Sequence, residues 1–565
     1  MHKIIFTLAL FSLLMLPACQ ISPSDAMFES TGEENLLSQA RGMIQLAADA
    51  LRPQPRTASD AAVAHTGLNP FGVNTFLNQE VEPQKRERSV QMIADAGFHW
   101  IRQEFPWEDI EIHGKGDFVD RRNDLDGDGQ LDAIDAWAKY DHIVDLAEQY
   151  NLEVVPRLSN PPAWTRALTN TIGAYAPPDE LTDWGDYVYA VVSRYRGRMR
   201  YYQLWNEPNI YPEWGERPVS PEEYTRLLCE GYHRAKEADP EAIIVSGALA
   251  PTVSLHPGPG PTLGLNDLLF LQRMYDAGAG ACFDILAVND YMLWSGPTDH
   301  RLRPLNINFS RPIYIRDIMV ANGDAAKPIW ISEMNSNAVP NDPNIQGVGA
   351  YGQVTLEQQA RFAPLAYQRT MEEWPWMGVV NFWFFKLPSD ARKNQSMYYF
   401  RMVEPDFTTM PVYESMQKYI TTLRPTLYPG VHQENHWALE YEGDWERMPD
   451  EEATLGAYRR AASPGATLSF AFEGASLTLS PGPEAGEIEL RVDEGPARRI
   501  SLDGRPVQLV KGRRQKRREI RLTVTAGEVG VDMLTVQPPW RPHTALLLGA
   551  TALVILVAWG LIRRR

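Results

Sequence analysis

Cysteine is scarce, three in 565 residues, so no disulfide framework can stand in for a hydrophobic core. Basic charge is in deficit as well. Asp and Glu number 72 against 54 Lys and Arg, a formal net charge of −18. A chain without a basic face is a poor match for a phosphate backbone, so no nucleic-acid partner is expected. Long apolar runs are missing from the interior and occur only at the two ends. What the chain does have is 44% hydrophobic and 22% charged residues, enough to bury large cores, and a length that fits two or three domains.

The two ends carry addressing information. Residues 1–19, MHKIIFTLALFSLLMLPAC, combine one Lys, an apolar run from Ile4 to Leu16 and a small-residue stretch ending at Cys19. That is the build of a secretion signal, too short for a comfortable membrane span. Leu16-Pro17-Ala18-Cys19 resembles a bacterial lipobox, which implies lipidation of Cys19; ordinary cleavage is the alternative. At the other end, Thr544 to Ile562 is 19 residues without a charge, followed by Arg563, Arg564 and Arg565. At about 1.5 Å per residue such a helix crosses the hydrocarbon. Basic flanks stay cytoplasmic, so residues 20 to 542 should lie on the extracytoplasmic face of the cell membrane. A sorting signal removed after export has the same pattern, and the sequence leaves both open. Outside the cell, Cys229 and Cys282 could form one bridge. Two buried thiols that never meet are the expectation, because spacing alone does not establish the geometry.

Residues 20–66 read as a tether, with one helix-like stretch and then a Pro/Arg/Thr/Ser-rich segment. From 67 to 425 short apolar runs alternate with helical periods, the signature of βαβ units. Eight such runs occur: FGVNTF (71–76), WIRQEF (100–105), LEVVPRL (152–158), YYQLWNE (201–207), IIVSGAL (243–249), FDILAVND (283–290), IWISEMN (329–335) and VVNFWFF (379–385). Eight βα units predict a (β/α)8 barrel. Over 430–538 the period falls to two, as in Leu468, Phe470 and Phe472 or Ile520, Leu522 and Val524, which predicts an antiparallel β-sandwich. Its role is either carbohydrate binding or spacing. The basic run KGRRQKRR (511–518) reads as a solvated hairpin between strands.

In a barrel the chemistry sits where strands end. The fourth run ends in Trp205-Asn206-Glu207-Pro208 and the seventh in Ser332-Glu333-Met334-Asn335. Two carboxyl groups facing each other across a barrel mouth are what glycosidic cleavage needs, one to protonate the leaving oxygen and one to attack the anomeric carbon. LWNEPNI (204–210) together with IWISEMN resembles the glycoside hydrolases of clan A over roughly residues 70 to 420. PWEDIE, KYDHIVDLA, NPPAWTR and EEYTRLL are similar to family 39 and its bacterial neighbours. The resemblance implies a retaining hydrolase of β-linked oligo- or polysaccharides, with Glu207 as acid/base and Glu333 as nucleophile, and with no cofactor for the chemistry. It also implies that Arg102 sits near the nucleophile, that Asn206 contacts the sugar 2-hydroxyl, that Tyr291 orients the nucleophile and that Trp383 lies under the sugar ring. Many relatives carry His where this chain has Asn289. A His could titrate near neutrality and Asn cannot, so the tuning of the acid/base is where this chain departs. Trp294 is a further candidate for stacking on substrate. A barrel that binds sugar without cleaving it, and a transglycosylase sharing the same intermediate, are the alternative functions.

A second constellation runs from Asp124 through Asp126, Asp128, Gln130 and Asp132 to Asp135, with Gly129 at the sixth position and Leu131 at the eighth. This is the ligand spacing of a calcium loop, which predicts structural Ca²⁺ beside the barrel mouth. An acidic solvated loop is the alternative.

Overall fold

The computed structural model describes residues 23–124, 127–166, 175–258 and 264–539. The signal, Cys19, Asp126, the uncharged 544–562 segment and the Arg tail lie outside the described residues. Among the described residues no helix is long and apolar enough to cross a membrane.

The core is a (β/α)8 barrel. Its strands are β1 (Phe71–Thr75), β2 (Trp100–Pro106), β3 (Glu153–Ser159), β4 (Tyr201–Asn206), β5 (Ile243–Ala248), β6 (Leu286–Asn289), β7 (Ile329–Met334) and β8 (Met377–Phe382). They pair in parallel in the order β6-β7-β8-β1-β2-β3-β4-β5. Backbone bonds from Ser246 N to Ile285 O (3.0 Å) and from Asn289 N to Leu249 O (2.9 Å) close the ring between β5 and β6. Helices cover every strand from outside, so strands such as β1 and β4 are buried at every position. This is why the sequence shows unbroken apolar runs rather than alternation.

Two N-terminal helices, α1 (Pro23–Thr31) and α2 (Leu36–Asp49), precede the barrel. The outer ring follows: α3 (Pro83–Asp95), α4 (Ala138–Gln149), α5 (Leu181–Arg194), α6 (Pro221–Ala238), α7 (Asp267–Asp276), α8 (Pro312–Ala321), α9 (Leu356–Glu373) and α10 (Pro411–Thr422). Local chemistry starts them. In α6 the Ser220 side chain accepts from Glu223 N, Pro221 opens the helix, and Glu222 and Glu223 face its positive end. Tyr224, Leu227, Leu228 and Gly231 then bury one face.

The side chains inside the barrel form layers. Trp100, Val155, Tyr201, Val245, Ile285, Trp330 and Val379 make an apolar plug. Two residues further along their strands stand Arg102, Arg157, Gln203, Ser332 and Asn381, all buried. The barrel therefore changes from apolar to polar within one strand period, and this polar layer is the floor of the site.

Residues 430–537 form the β-sandwich. One sheet joins strands 430–433, 533–537, 476–480 and 507–510, a second joins 440–442, 467–474, 516–527, 485–492 and 498–503, and a small third joins 445–449, 457–461 and 529–531. Leu468, Phe472, Leu477, Leu479, Ile520 and Leu522 share one apolar core between them. The unit docks at the end of the barrel opposite the mouth, where Trp437 N donates to Gly67 O (2.7 Å) and the Trp437 ring meets Phe71 edge-on at 6.2 Å.

Two expectations fail. The segment expected to be a tether is docked from residue 23 onward. Arg301 pairs with Glu33 (2.7 Å), Leu302 N donates to Asp49 (3.3 Å), and Phe28 stacks on Phe362 at 6.1 Å. The docking runs largely through charged and polar groups, which a composition-based reading counts as evidence of solvation. Cys229 and Cys282 also do meet: they form a disulfide between α6 and the turn before β6, with Cα atoms 4.8 Å apart.

The bridge closes a separation of 53 residues, for which chain entropy gives a stabilisation of about 4 kcal/mol. Replacing both cysteines by Ala should lower the unfolding free energy by roughly 2 to 4 kcal/mol in a urea melt. A double variant as stable as wild type would show that the bridge adds nothing.

Candidate active site at the barrel mouth

Arg102 organises the polar layer. Buried at 3% exposure, it donates from Nε to Gln203 Oε1 (2.6 Å), from Nη1 to Asn74 Oδ1 (2.7 Å) and Glu333 Oε1 (3.1 Å), and from Nη2 to Asn206 Oδ1 (2.9 Å). Gln203 Nε2 continues to Ser332 Oγ (2.9 Å), and Asn74 Nδ2 to Ser332 O (2.8 Å). Strands β1, β2, β4 and β7 are thereby tied together through one cation.

Glu333 accepts at both oxygens, from Arg102 at Oε1 and from the Tyr291 hydroxyl at Oε2 (2.6 Å). Burial, Glu333 and Glu207 push the Tyr291 hydroxyl well above its usual range, so it stays a neutral donor. Ser332 and Glu333 are sequence neighbours, yet both point into the barrel, which a regular strand forbids. The pairing of β7 with β6 and β8 shifts register at this level, and that irregularity turns Glu333 inward.

Glu207 is placed by a different device. Trp205 (φ 81°) and Glu207 (φ 39°) both take left-handed backbone, while Glu207 N remains bonded to Ala248 O at 2.9 Å. Strained backbone of this kind needs over-determined surroundings and gathers at functional sites. The carboxyl accepts from Asn289 Nδ2 (2.7 Å). Burial first, then the charges of Glu333 and Glu213, push it up to about 8, against the pull of Asn289 and Arg102. Two Glu side chains in one mouth thus have opposite surroundings: Glu333 is held by a cation and a hydroxyl, whereas Glu207 is desolvated beside like charges.

Of the residues singled out from sequence, Arg102, Asn206, Asn289, Tyr291, Glu207 and Glu333 come together. Trp383 stands at the rim with its ring edge-on to Phe76 at 5.6 Å. Trp294 projects from the loop after β6 and is 67% exposed. Asp124 accepts from Gly127 N (2.7 Å) and Gly129 N (2.9 Å), Asp128 from Gln130 N (2.8 Å) and Asp135 from Trp137 N (3.0 Å). Among the described residues no three acidic, His or Cys side chains are gathered as for a metal.

Sequence reading missed a charged flank on the β2–β4 side. Arg157 on β3 pairs with Glu104 on β2, and Glu213, in the loop after β4, is hydrogen-bonded to Asn206 and pushed up to about 7, chiefly by burial against the pull of Arg157. Glu104 and Arg157 do close or nearly close their runs, a position that could have marked them; Glu213 had no such signal, being six residues past Glu207 in an irregular turn.

No protein-family model matches the chain, nor does any curated protein. Among solved structures it is similar to a family 39 glycoside hydrolase from the gut symbiont Bacteroides cellulosilyticus WH2, with 17% identity over 82% of this chain and 83% of that one and a TM-score of 0.46. It is also similar to a monomeric β-xylosidase from Caulobacter crescentus CB15, with 12% identity over 86% and 98% and a TM-score of 0.42. For xylanase 10B from Thermotoga maritima the values are 15% over 62% and 94%, with a TM-score of 0.40.

Carboxyl ¹³C NMR checks the electrostatics directly. Glu207 should titrate at about 8. Glu213→Gln removes a like charge and should move that midpoint down, whereas Asn289→Ala removes a donor to the carboxylate and should move it up. Shifts of the opposite signs would contradict the geometry.

Proposed function

We propose that the protein is a retaining glycoside hydrolase acting on a β-linked oligo- or polysaccharide. The observation that carries this reading is the opposed environment of the two carboxyls at one barrel mouth. Glu207, pushed up to about 8, holds its proton at neutral pH and can give it to the glycosidic oxygen as that bond breaks. Glu333, with both oxygens accepting, attacks the anomeric carbon from the other side. The sugar is then esterified to Glu333, which removes the like charge that helped raise Glu207. Glu207 therefore loses affinity for its proton at the step where it must act as base toward water, and hydrolysis of the ester restores both groups. In this reading Asn206, fixed by Arg102 (2.9 Å), meets the sugar 2-hydroxyl. No cofactor takes part.

Two further expectations are part of this reading. Residues 20 to 542 face outward from the cell membrane, held by the uncharged 544–562 segment and by a lipid on Cys19. Calcium binds the Asp124–Asp135 loop, with Asp126 completing the set, and orders the connection from β2 to α4. Because a ligand bound only by the folded state stabilises it, chelation should lower the melting temperature, and Asp124→Ala with Asp128→Ala should abolish that response. A melting point indifferent to chelator removes the site.

The two carboxyls should lie about 5 to 5.5 Å apart, as retention requires. Hydrolysis followed by ¹H NMR should first release the anomer of retained configuration; the inverted anomer would overturn the assignment. Glu333→Ala should be inactive on every glycoside. Glu207→Ala should lose about 10²- to 10⁴-fold on unactivated glycosides but far less on aryl glycosides, whose leaving group needs no proton. In wild type, kcat/KM should fall as pH rises through about 8, when Glu207 loses its proton.

A further inference from the structure

The loops after β5, β6 and β7 lead outward from the carboxyl pair to a cavity of about 480 Å³, within the size range of small-ligand sites. The loop after β7 runs between the two. Tyr291, which donates to Glu333, has the Tyr351 ring 6.3 Å away. Tyr351 sits between Gly349 (φ +81°) and Gly352 (φ +74°). A Cβ on Gly352 would run into the Leu293 carbonyl, and one on Gly349 would stand 3.6 Å from the Trp294 ring. These two left-handed glycines let the loop after β7 lie flat against the loop after β6, holding Trp294 at the cavity edge with most of its ring in water.

The opposite wall is α2, which presents Ser38, Arg41 and Gln45 to the cavity. Arg301 keeps it there, donating to Gln45 Oε1 (3.0 Å), Glu33 Oε1 (2.7 Å), Thr31 O (3.3 Å) and Asp299 (2.7 and 2.8 Å). Among the described residues the Arg41 guanidinium makes no hydrogen bond or ion pair, and Asn306 adds an amide to the lining. One exposed indole ring faced by hydroxyl, amide and guanidinium groups matches a pyranose, whose C–H face is apolar and whose rim carries hydroxyls.

We propose that this cavity is an outer carbohydrate subsite, built jointly by Trp294 and the N-terminal helix α2, which holds sugar units beyond the pair joined by the cleaved bond. The substrate is then a chain of several sugars rather than a small glycoside. This rests on the glycosidase reading. It also gives the docked N-terminal helices a function: they supply one wall of the cleft.

The test uses the full-length protein with aryl β-glycosides of xylose, glucose, galactose and glucuronic acid and with β-linked pentasaccharides of the same sugars. Trp294→Ala removes the stacking face and Ser38→Trp fills the cavity. Each should raise KM for the hydrolysed pentasaccharide about ten-fold more than KM for the matching aryl glycoside, with little change in kcat. Equal effects on both substrates, or none on the pentasaccharide, would overturn the subsite. If wild type hydrolyses none of these compounds the glycosidase reading falls separately, and calorimetric titration with the pentasaccharides decides the subsite. Binding by wild type that both variants lose sustains it, and absence of binding refutes it.

Discussion

A guanidinium taken out of water is stable only if its donors are matched, and Arg102 meets that condition with acceptors drawn from three other strands: Asn74, Gln203 and Asn206, and Glu333. Desolvating such a cation costs several kcal/mol, and leaving it unpaired typically costs about 3 to 5 kcal/mol. Much of the polar layer of the barrel is the coordination of this one charge. Because the acceptors include Glu333 and Asn206, the requirement that makes the interior stable also sets the position of these two groups at the barrel mouth.

The same low-dielectric setting separates the two glutamates. Glu333 sits on the charged side of the network and Glu207 on its margin, where Asn289 donates to it. A neutral amide at that position supplies a hydrogen bond without a titratable charge, so the proton affinity of Glu207 is set mainly by burial and by neighbouring carboxylates. Glu213, itself poised near 7, makes the site a coupled set of three acids rather than two. Arg157 on the adjoining flank opposes that build-up of negative charge, whereas its partner Glu104 adds to it.

The parts outside the barrel attach by contrasting means. The sandwich has its own apolar core and meets the closed end of the barrel through Trp437. The N-terminal helices attach mainly through polar groups: Gln39 and Asp49 are buried on α2, beside Gly42. Their place depends on Arg301 and its partners, so they are positioned by directional bonds. That is a suitable way to hold the wall of a cleft, since direction as well as proximity is specified.

The eight apolar runs, the change of period near residue 430 and the acidic strand ends at 207 and 333 were legible from order alone. Burial on both faces, alternation and strand-end position are local patterns, and parallel strands covered by helices write them directly into the chain. Other features depended on which segments closure brings together. The inward turn of Glu333 comes from a register shift against β6 and β8, and a period of two predicts the wrong face for it. Glu213 joins the site through an irregular turn that carries no period at all. The disulfide depends on α6 meeting the turn before β6, and the docking of residues 23–66 on charge pairs whose partners lie more than 250 residues away, as in Arg301 with Glu33. Sequence reports what each segment must bury; which distant groups satisfy one another is decided only when the barrel closes.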